Sequence, residues 1–393
     1  MLVETCHKSA AGRRAGRLLA ALLAVPLAAA GLSAFAAPAG AVPAGPTASV
    51  SMGDSYMSGE AGRWKGNSLT NSGSRDGTDR AWTGSGYDPA RVYGTTAANG
   101  CDRSDSAEVN GATSVAQTKI NLACSGATTV NVFRAAKGGQ AFKGEAPQAD
   151  QLAAVAAANK VKLITLSIGG NDLGFADVIS TCVQDYLVWY SYCNDDQQAA
   201  IDGKMNAAME GVAKSIDEIR AVMSGAGYAA TDYRVVLQSA PSPTPRAVDI
   251  RYPESGWTRA NTGGCPLWDG DANWARDSLV PQISDRFAAV AAAKGVQFLD
   301  LRDTFDGHEI CAKAAKQVTA SSAPSGANSE WMRWLDMGRS TQGTLQESMH
   351  PNYFGQLALG RCLDLMYAKP SGNYACRNTA GQDHNGMFLT GRP

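Results

Sequence analysis

The chain has 393 residues, of which 44% are hydrophobic and 18% charged, and its net charge at neutral pH is −1. With no long run of one sign, that balance argues against nucleic acid or an anionic membrane surface as a partner. Nine cysteines and four histidines are present, but no Cys-x-x-Cys or His-x-x-x-His occurs, so no metal site or cofactor is expected.

The chain opens with a basic stretch (Lys8, Arg13, Arg14, Arg17) and an apolar run from Leu18 to Ala37, and small residues then lead into Ala39, Gly40 and Ala41. This is the layout of a secretory signal peptide over residues 1–41. The run is also long enough for an uncleaved anchor, which is the competing reading. With cleavage, residues 42–393 form one extracellular domain, monomeric and without stable membrane insertion. Cys6 leaves with the signal, and the remaining eight cysteines read as disulfides. Pairing sequence neighbours closes the smallest loops: Cys101–Cys124, Cys182–Cys193, Cys265–Cys311 and Cys362–Cys376.

Short apolar runs predict strands over Ala48–Met52, Lys119–Leu122, Val161–Ile168, Arg234–Gln238 and Val296–Leu301. Their near-continuous Val, Ile and Leu content suits strands buried on both faces. Helical periodicity covers Gln148–Asn159, Gln198–Ser224, Asp277–Lys294 and Phe354–Tyr367; in the second, Met205, Met209, Val212, Ile216 and Ile219 recur every three or four residues. The alternation predicts an α/β fold, a five-stranded parallel sheet with helices on both faces. Ligands then bind outside the carboxyl ends of the strands.

Four sequence blocks fall at those ends. The first strand runs into Gly53-Asp54-Ser55, where a serine at a helix start has unpaired N–H groups beside it. By itself it reads equally as an N-cap. The second strand leads to Ser125-Gly126, whose Gly126 offers a backbone N–H or merely turns the chain. The third runs into Gly169-Gly170-Asn171-Asp172, where Asn171 supplies an uncharged donor or a turn residue. Before the last helix stands Glu347-Ser348-Met349-His350-Pro351, in which His350 is a candidate general base.

In this order the blocks resemble those of the SGNH/GDSL hydrolase superfamily, in particular secreted actinobacterial GDSL esterases and lipases. The resemblance spans residues 48 to about 367. It implies a flavodoxin-like three-layer α/β/α sandwich and a serine esterase or lipase acting on a small-molecule or lipid ester. Ser55 is then the nucleophile and His350 the base, with an oxyanion hole from the Ser55 N–H, the Gly126 N–H and the Asn171 side chain. The family places Asp three residues before the histidine, where this chain has Glu347. The Glu347 carboxylate is expected to orient His350; in some secreted relatives a backbone carbonyl does so. A phospholipase or carbohydrate deacetylase on the same scaffold, and a catalytically inactive extracellular binding protein, are the alternative readings. The aromatic segment 186–192, inside Cys182–Cys193, is expected to wall an acyl groove or else simply to pack.

Overall fold

A computed structural model describes residues 42–189, 191–336 and 342–392; the expected signal segment lies outside them. The five apolar runs form β1 (Thr47–Gly53), β2 (Thr118–Asn121), β3 (Lys160–Ser167), β4 (Arg234–Gln238) and β5 (Gln297–Asp300). All pair in parallel, in the order β2-β1-β3-β4-β5. β3, β4 and β5 are buried along most of their length, as parallel strands covered on both faces must be. The edge strand β2 is only half-buried.

Two further strands extend this sheet beyond the five expected. β6 (Tyr374–Arg377) joins parallel to β5, and β7 (Phe388–Gly391) pairs antiparallel with β6. Each is four residues long, too short to show a period. Pairing with β5 and the Cys362–Cys376 disulfide, rather than composition, hold β6 in place. The other disulfides join Cys101–Cys124, Cys182–Cys193 and Cys265–Cys311.

The main helices are α1 (Gln148–Ala158), α2 (Phe175–Leu187), α3 (Asn194–Gly225), α4 (Val280–Lys294) and α5 (Tyr353–Tyr367). Along α3 the residues Met205, Met209, Val212, Ile216, Ile219 and Met223 are buried, the stripe its spacing predicts. α4 starts three residues later than expected because 275–279 forms a wider π turn before Pro281. α1, α3 and α4 pack side by side. On the other face, Leu363 and Met366 of α5 lie against Leu163 and Val236. There α5 also crosses the short helical turn Glu108–Gly111.

The strand order places the site. β1 and β3 are neighbours, but the chain leaves β1 toward β2 on one side and leaves β3 toward β4 on the other. Their carboxyl ends therefore flank the crevice where open α/β sheets bind ligands.

Where α5 crosses Glu108–Gly111, a Cβ on Gly360 would lie 2.7 Å from both the Glu108 carbonyl oxygen and the Gly111 Cα. Gly360→Ala should therefore destabilise the protein by about 1–3 kcal/mol in chemical denaturation, although alanine is the better helix former. An unchanged or raised midpoint would mean that this backbone contact is not tight.

Candidate active site

The nucleophile's arm begins where β1 touches β3. Gly53 has φ +138°, and a Cβ there would come within 1.9 Å of the Ser167 carbonyl oxygen, so only glycine fits. Gln148, the first residue of α1, clamps this point from the side. Its Oε1 accepts from the Gly53 N–H at 2.7 Å, and its Nε2 donates to the Gly53 carbonyl at 2.8 Å. Asp54 then caps the one-turn helix Ser55–Ser58 by accepting from the Tyr56 N–H at 3.2 Å. Ser55, the first residue of that turn, has an N–H with no intrahelical acceptor. Burial pushes the Asp54 carboxyl up to about 7; the Tyr56 N–H opposes that shift and the nearby Asp172 adds to it.

The base arrives from the far end of the chain. Met349 adopts a left-handed backbone, φ 61°, unusual for a residue other than glycine. It is held there from both sides. Its N–H donates to the Arg333 carbonyl at 2.9 Å, and its carbonyl accepts from the Tyr56 hydroxyl at 2.9 Å. With this bend, the His350 Nδ1 lies 2.8 Å from the Ser348 carbonyl oxygen and its Nε2 2.6 Å from the Ser55 Oγ. A carbonyl only accepts, so Nδ1 carries the proton and the Nε2 lone pair faces the serine hydroxyl. Burial pushes the imidazole down to about 4, outweighing its hydrogen bonding to the Ser348 and Glu347 backbone, which favours its charged form.

The expectation that the Glu347 carboxylate orients His350 is corrected here. That carboxylate is buried and engaged elsewhere: Oε1 accepts from the Tyr93 hydroxyl at 2.7 Å and Oε2 from the Thr344 N–H at 2.9 Å. Glu347 closes the capping box of the turn Leu345–Glu347, so its side chain folds back toward Thr344. The main-chain carbonyl of Ser348 takes the place beside the imidazole.

The three expected oxyanion donors converge on the same strand ends. The Asn171 Nδ2 donates one hydrogen to the Ala127 carbonyl at 2.9 Å, which fixes the amide and leaves its second hydrogen free. Gly126 has φ +84°, and its N–H bonds to no acceptor among the described residues. Ser125 before it is locked by Glu60 and Gln346, whose side chains both bond its hydroxyl. Glu60 is fully buried, and burial pushes its carboxyl up to about 8. Four residues with roles here escaped the sequence reading: Gln148, Tyr56, Glu60 and Ser348. Gln148 and Glu60 lie outside the motifs, Tyr56 acts through a partner that only the fold supplies, and Ser348 acts through its carbonyl, which no residue type reveals.

The aromatic segment 186–192 packs among its own rings and against 254–268. α2 starts four residues after Asn171, and its 13 residues carry the chain about 20 Å along its own axis to that segment. Tyr186 is buried with its hydroxyl on the Glu254 and Gly256 carbonyls, and Trp189 meets Tyr186, Trp257 and Trp268 rather than the Ser55–His350 pair. Among the described residues one cluster has metal-ligand geometry, Cys182, Cys193 and Asp271, and both its sulfurs are spent in a disulfide.

The family model for GDSL-like lipases and acylhydrolases matches residues 52–356. Lipase 1 of Streptomyces coelicolor is 29% identical over 201 residues, which cover 49% of this chain and 56% of that protein. The chain thus spans little more than half the length of this curated relative. An extracellular lipase from Streptomyces rimosus is similar in structure with 23% identity and a TM-score of 0.42, covering 79% of this chain and 94% of its own. A phospholipase A1 from Streptomyces albidoflavus has 22% identity and a TM-score of 0.41 over the same shares.

Protonation of His350 fills the Nε2 lone pair and removes the base. The kcat/KM for a soluble ester should therefore stay level well below pH 6.5, the ordinary imidazole value, and fall as pH passes through about 4. Asp54→Asn, which keeps the cap acceptor, should leave that limb in place; a wild-type limb near 7 that vanishes in this variant would belong to Asp54 instead. Glu347→Gln can still accept from the Thr344 N–H and donate to the Tyr93 oxygen. It should lower kcat by less than about tenfold with an unmoved limb, against about 10⁴-fold where a carboxylate holds the imidazole.

Proposed function

We propose that this chain, which belongs to the GDSL-like lipase/acylhydrolase family, is an exported serine ester hydrolase working through a Ser55 acyl-enzyme. The observation that carries the reading is the 2.6 Å contact between the Ser55 Oγ and the His350 Nε2, set at the crevice between β1 and β3. His350 takes the hydroxyl proton as Ser55 attacks the ester carbonyl, and the Ser348 carbonyl holds the imidazolium that forms through its Nδ1–H. Charge gathers on the substrate oxygen and is met by the Ser55 N–H, the Gly126 N–H and the free Asn171 amide hydrogen. His350 returns the proton to the departing alcohol, leaving the acyl group on Ser55. Water, deprotonated by the same imidazole, then releases the acid. Each step is a proton or acyl transfer that these residues complete among themselves. Export is supported by the disulfides, which persist in oxidising compartments.

Ser55→Ala and His350→Ala should each bring ester turnover to near background, with a folded protein by circular dichroism. The double variant should be little worse than either, because both residues serve one covalent step. Asn171→Ala should lower kcat by roughly 10²–10³ with little change in KM. A tenth of the activity surviving in Ser55→Ala, or an Asn171 effect confined to KM, would overturn these assignments.

A further inference from the structure

At the outer end of α2 the molecule carries a cluster of rings that the hydrolytic site does not use. Trp268 lies 4.9 Å from Tyr186, 5.3 Å from Trp189 and 6.2 Å from Tyr192 between ring centroids, and Trp189 lies 6.0 Å from Trp257. The outer members stand in solvent: Trp189 is 46% exposed, Trp257 48%, Tyr192 57% and the adjoining Val188 68%. A contiguous apolar patch of this kind on a soluble surface marks an interaction site. Side chains with an apolar body and one polar atom suit the boundary between water and lipid.

The patch is built rigidly. The Cys182–Cys193 disulfide closes the segment bearing Val188, Trp189 and Tyr192, and Cys265–Cys311 anchors the one bearing Trp268. The Tyr186 hydroxyl ties the first segment to the second through the Glu254 carbonyl at 2.9 Å. Buried Arg259 holds the second against itself through the Leu267 carbonyl at 2.6 Å and the Asp269 carboxylate at 2.8 Å.

Its surroundings are acidic. The charges of Asp185 and Asp195 reach the buried Asp271 carboxyl; at the Tyr186 hydroxyl the buried Arg259 cation is opposed by Glu254 and Asp269. Asp269 is paired with Arg259, but Asp185, Asp195, Asp196 and Glu254 have no ion-pair partner among the described residues. A rim of that sign repels an anionic membrane. It favours a quaternary ammonium, which is also the cation that Trp and Tyr faces attract. In a phosphocholine-type bilayer that ammonium is the outermost group, and the apolar boundary below it takes the rings.

We propose that this aromatic cluster and its acidic rim, at the far end of α2 from its start after Asn171, form a docking surface for zwitterionic, phosphocholine-type lipid surfaces. The docking stands apart from the hydrolytic chemistry and is measurable without turnover. The Ser55→Ala protein is sedimented with phosphatidylcholine vesicles, with phosphatidylglycerol vesicles and with insoluble xylan, alongside the same protein carrying Trp189→Ala and Trp257→Ala. Binding to phosphatidylcholine should exceed binding to phosphatidylglycerol at low salt, and the double replacement should weaken it about tenfold or more. Hydrolysis of a soluble short ester by the otherwise wild-type double variant should stay within about twofold. As a check independent of any variant, tryptophan emission of the unaltered protein should shift to shorter wavelength when phosphatidylcholine vesicles are added. Equal binding with and without the two tryptophans, preference for phosphatidylglycerol, retention on xylan instead of vesicles, dimerisation that consumes the patch, or an unshifted emission would each overturn the proposal.

Discussion

The Asp54 N–H reaches across from the end of β1 to the Ser167 carbonyl at the end of β3, 3.2 Å away, at a point where Gly53 has no side chain to keep the strands apart. The rest of the site depends on that approach. It starts the helical turn that presents Ser55, and on the next residues of β3's exit it sets Gly169 to Asn171 beside it. Gln148 holds the adjoining Gly53 from the flank, bonded to both its N–H and its carbonyl. The base arm is then tied to the nucleophile arm a second time, through the Tyr56 hydroxyl and the Met349 carbonyl. The two reacting groups are thus brought together by the protein before any substrate arrives, as electrostatic preorganisation requires.

Electrostatically the site leans to one side. An imidazole buried without a carboxylate partner is wholly neutral at physiological pH, but it is also a weaker base than one poised near 7. What it lacks in proton affinity has to come from better stabilisation of the developing oxyanion. Two features favour that. The Asn171 amide is fixed by the Ala127 carbonyl, and the loop before Gly126 is gripped by Glu60 through Ser125 and by the Cys101–Cys124 disulfide. Burial raises the pKa values of the nearby acids Asp54 and Glu60, which reduces the negative charge they place next to a reaction that generates more of it.

The sequence made the chemistry at strand ends legible because buried parallel strands write themselves as apolar runs, and the turns after them need glycine and small polar residues. β1, β3 and β4 fall within a residue of the runs that announce them. β6 and β7 left no such trace: β6 is set by pairing with β5, far earlier in the chain, and β7 by folding back antiparallel on β6. Glu347 misled for a related reason: spacing from His350 fixes how far a carboxylate can reach but not which way the backbone turns. The left-handed Met349 and the capping box at Thr344 decide that, and both are tertiary outcomes. The aromatic run 186–192 was visible by composition, yet the rings it meets, Trp257 and Trp268, are brought to it only by the fold.

The third member of the Ser55–His350 array has no genetic address. Every residue type brings a carbonyl, and Ser348 sits at φ −64° and ψ 145°, a conformation open to nearly all of them. For its hydrogen bond to the imidazole the path of the chain matters and the side chain does not; the Ser348 hydroxyl separately accepts from the Asp336 N–H at 3.1 Å. Where that second contact is made in another way, residue 348 can change among descendants while its hydrogen bond to the imidazole persists. A lineage built this way would look, to any search keyed on an acid near the histidine, like a family that had lost its catalytic acid.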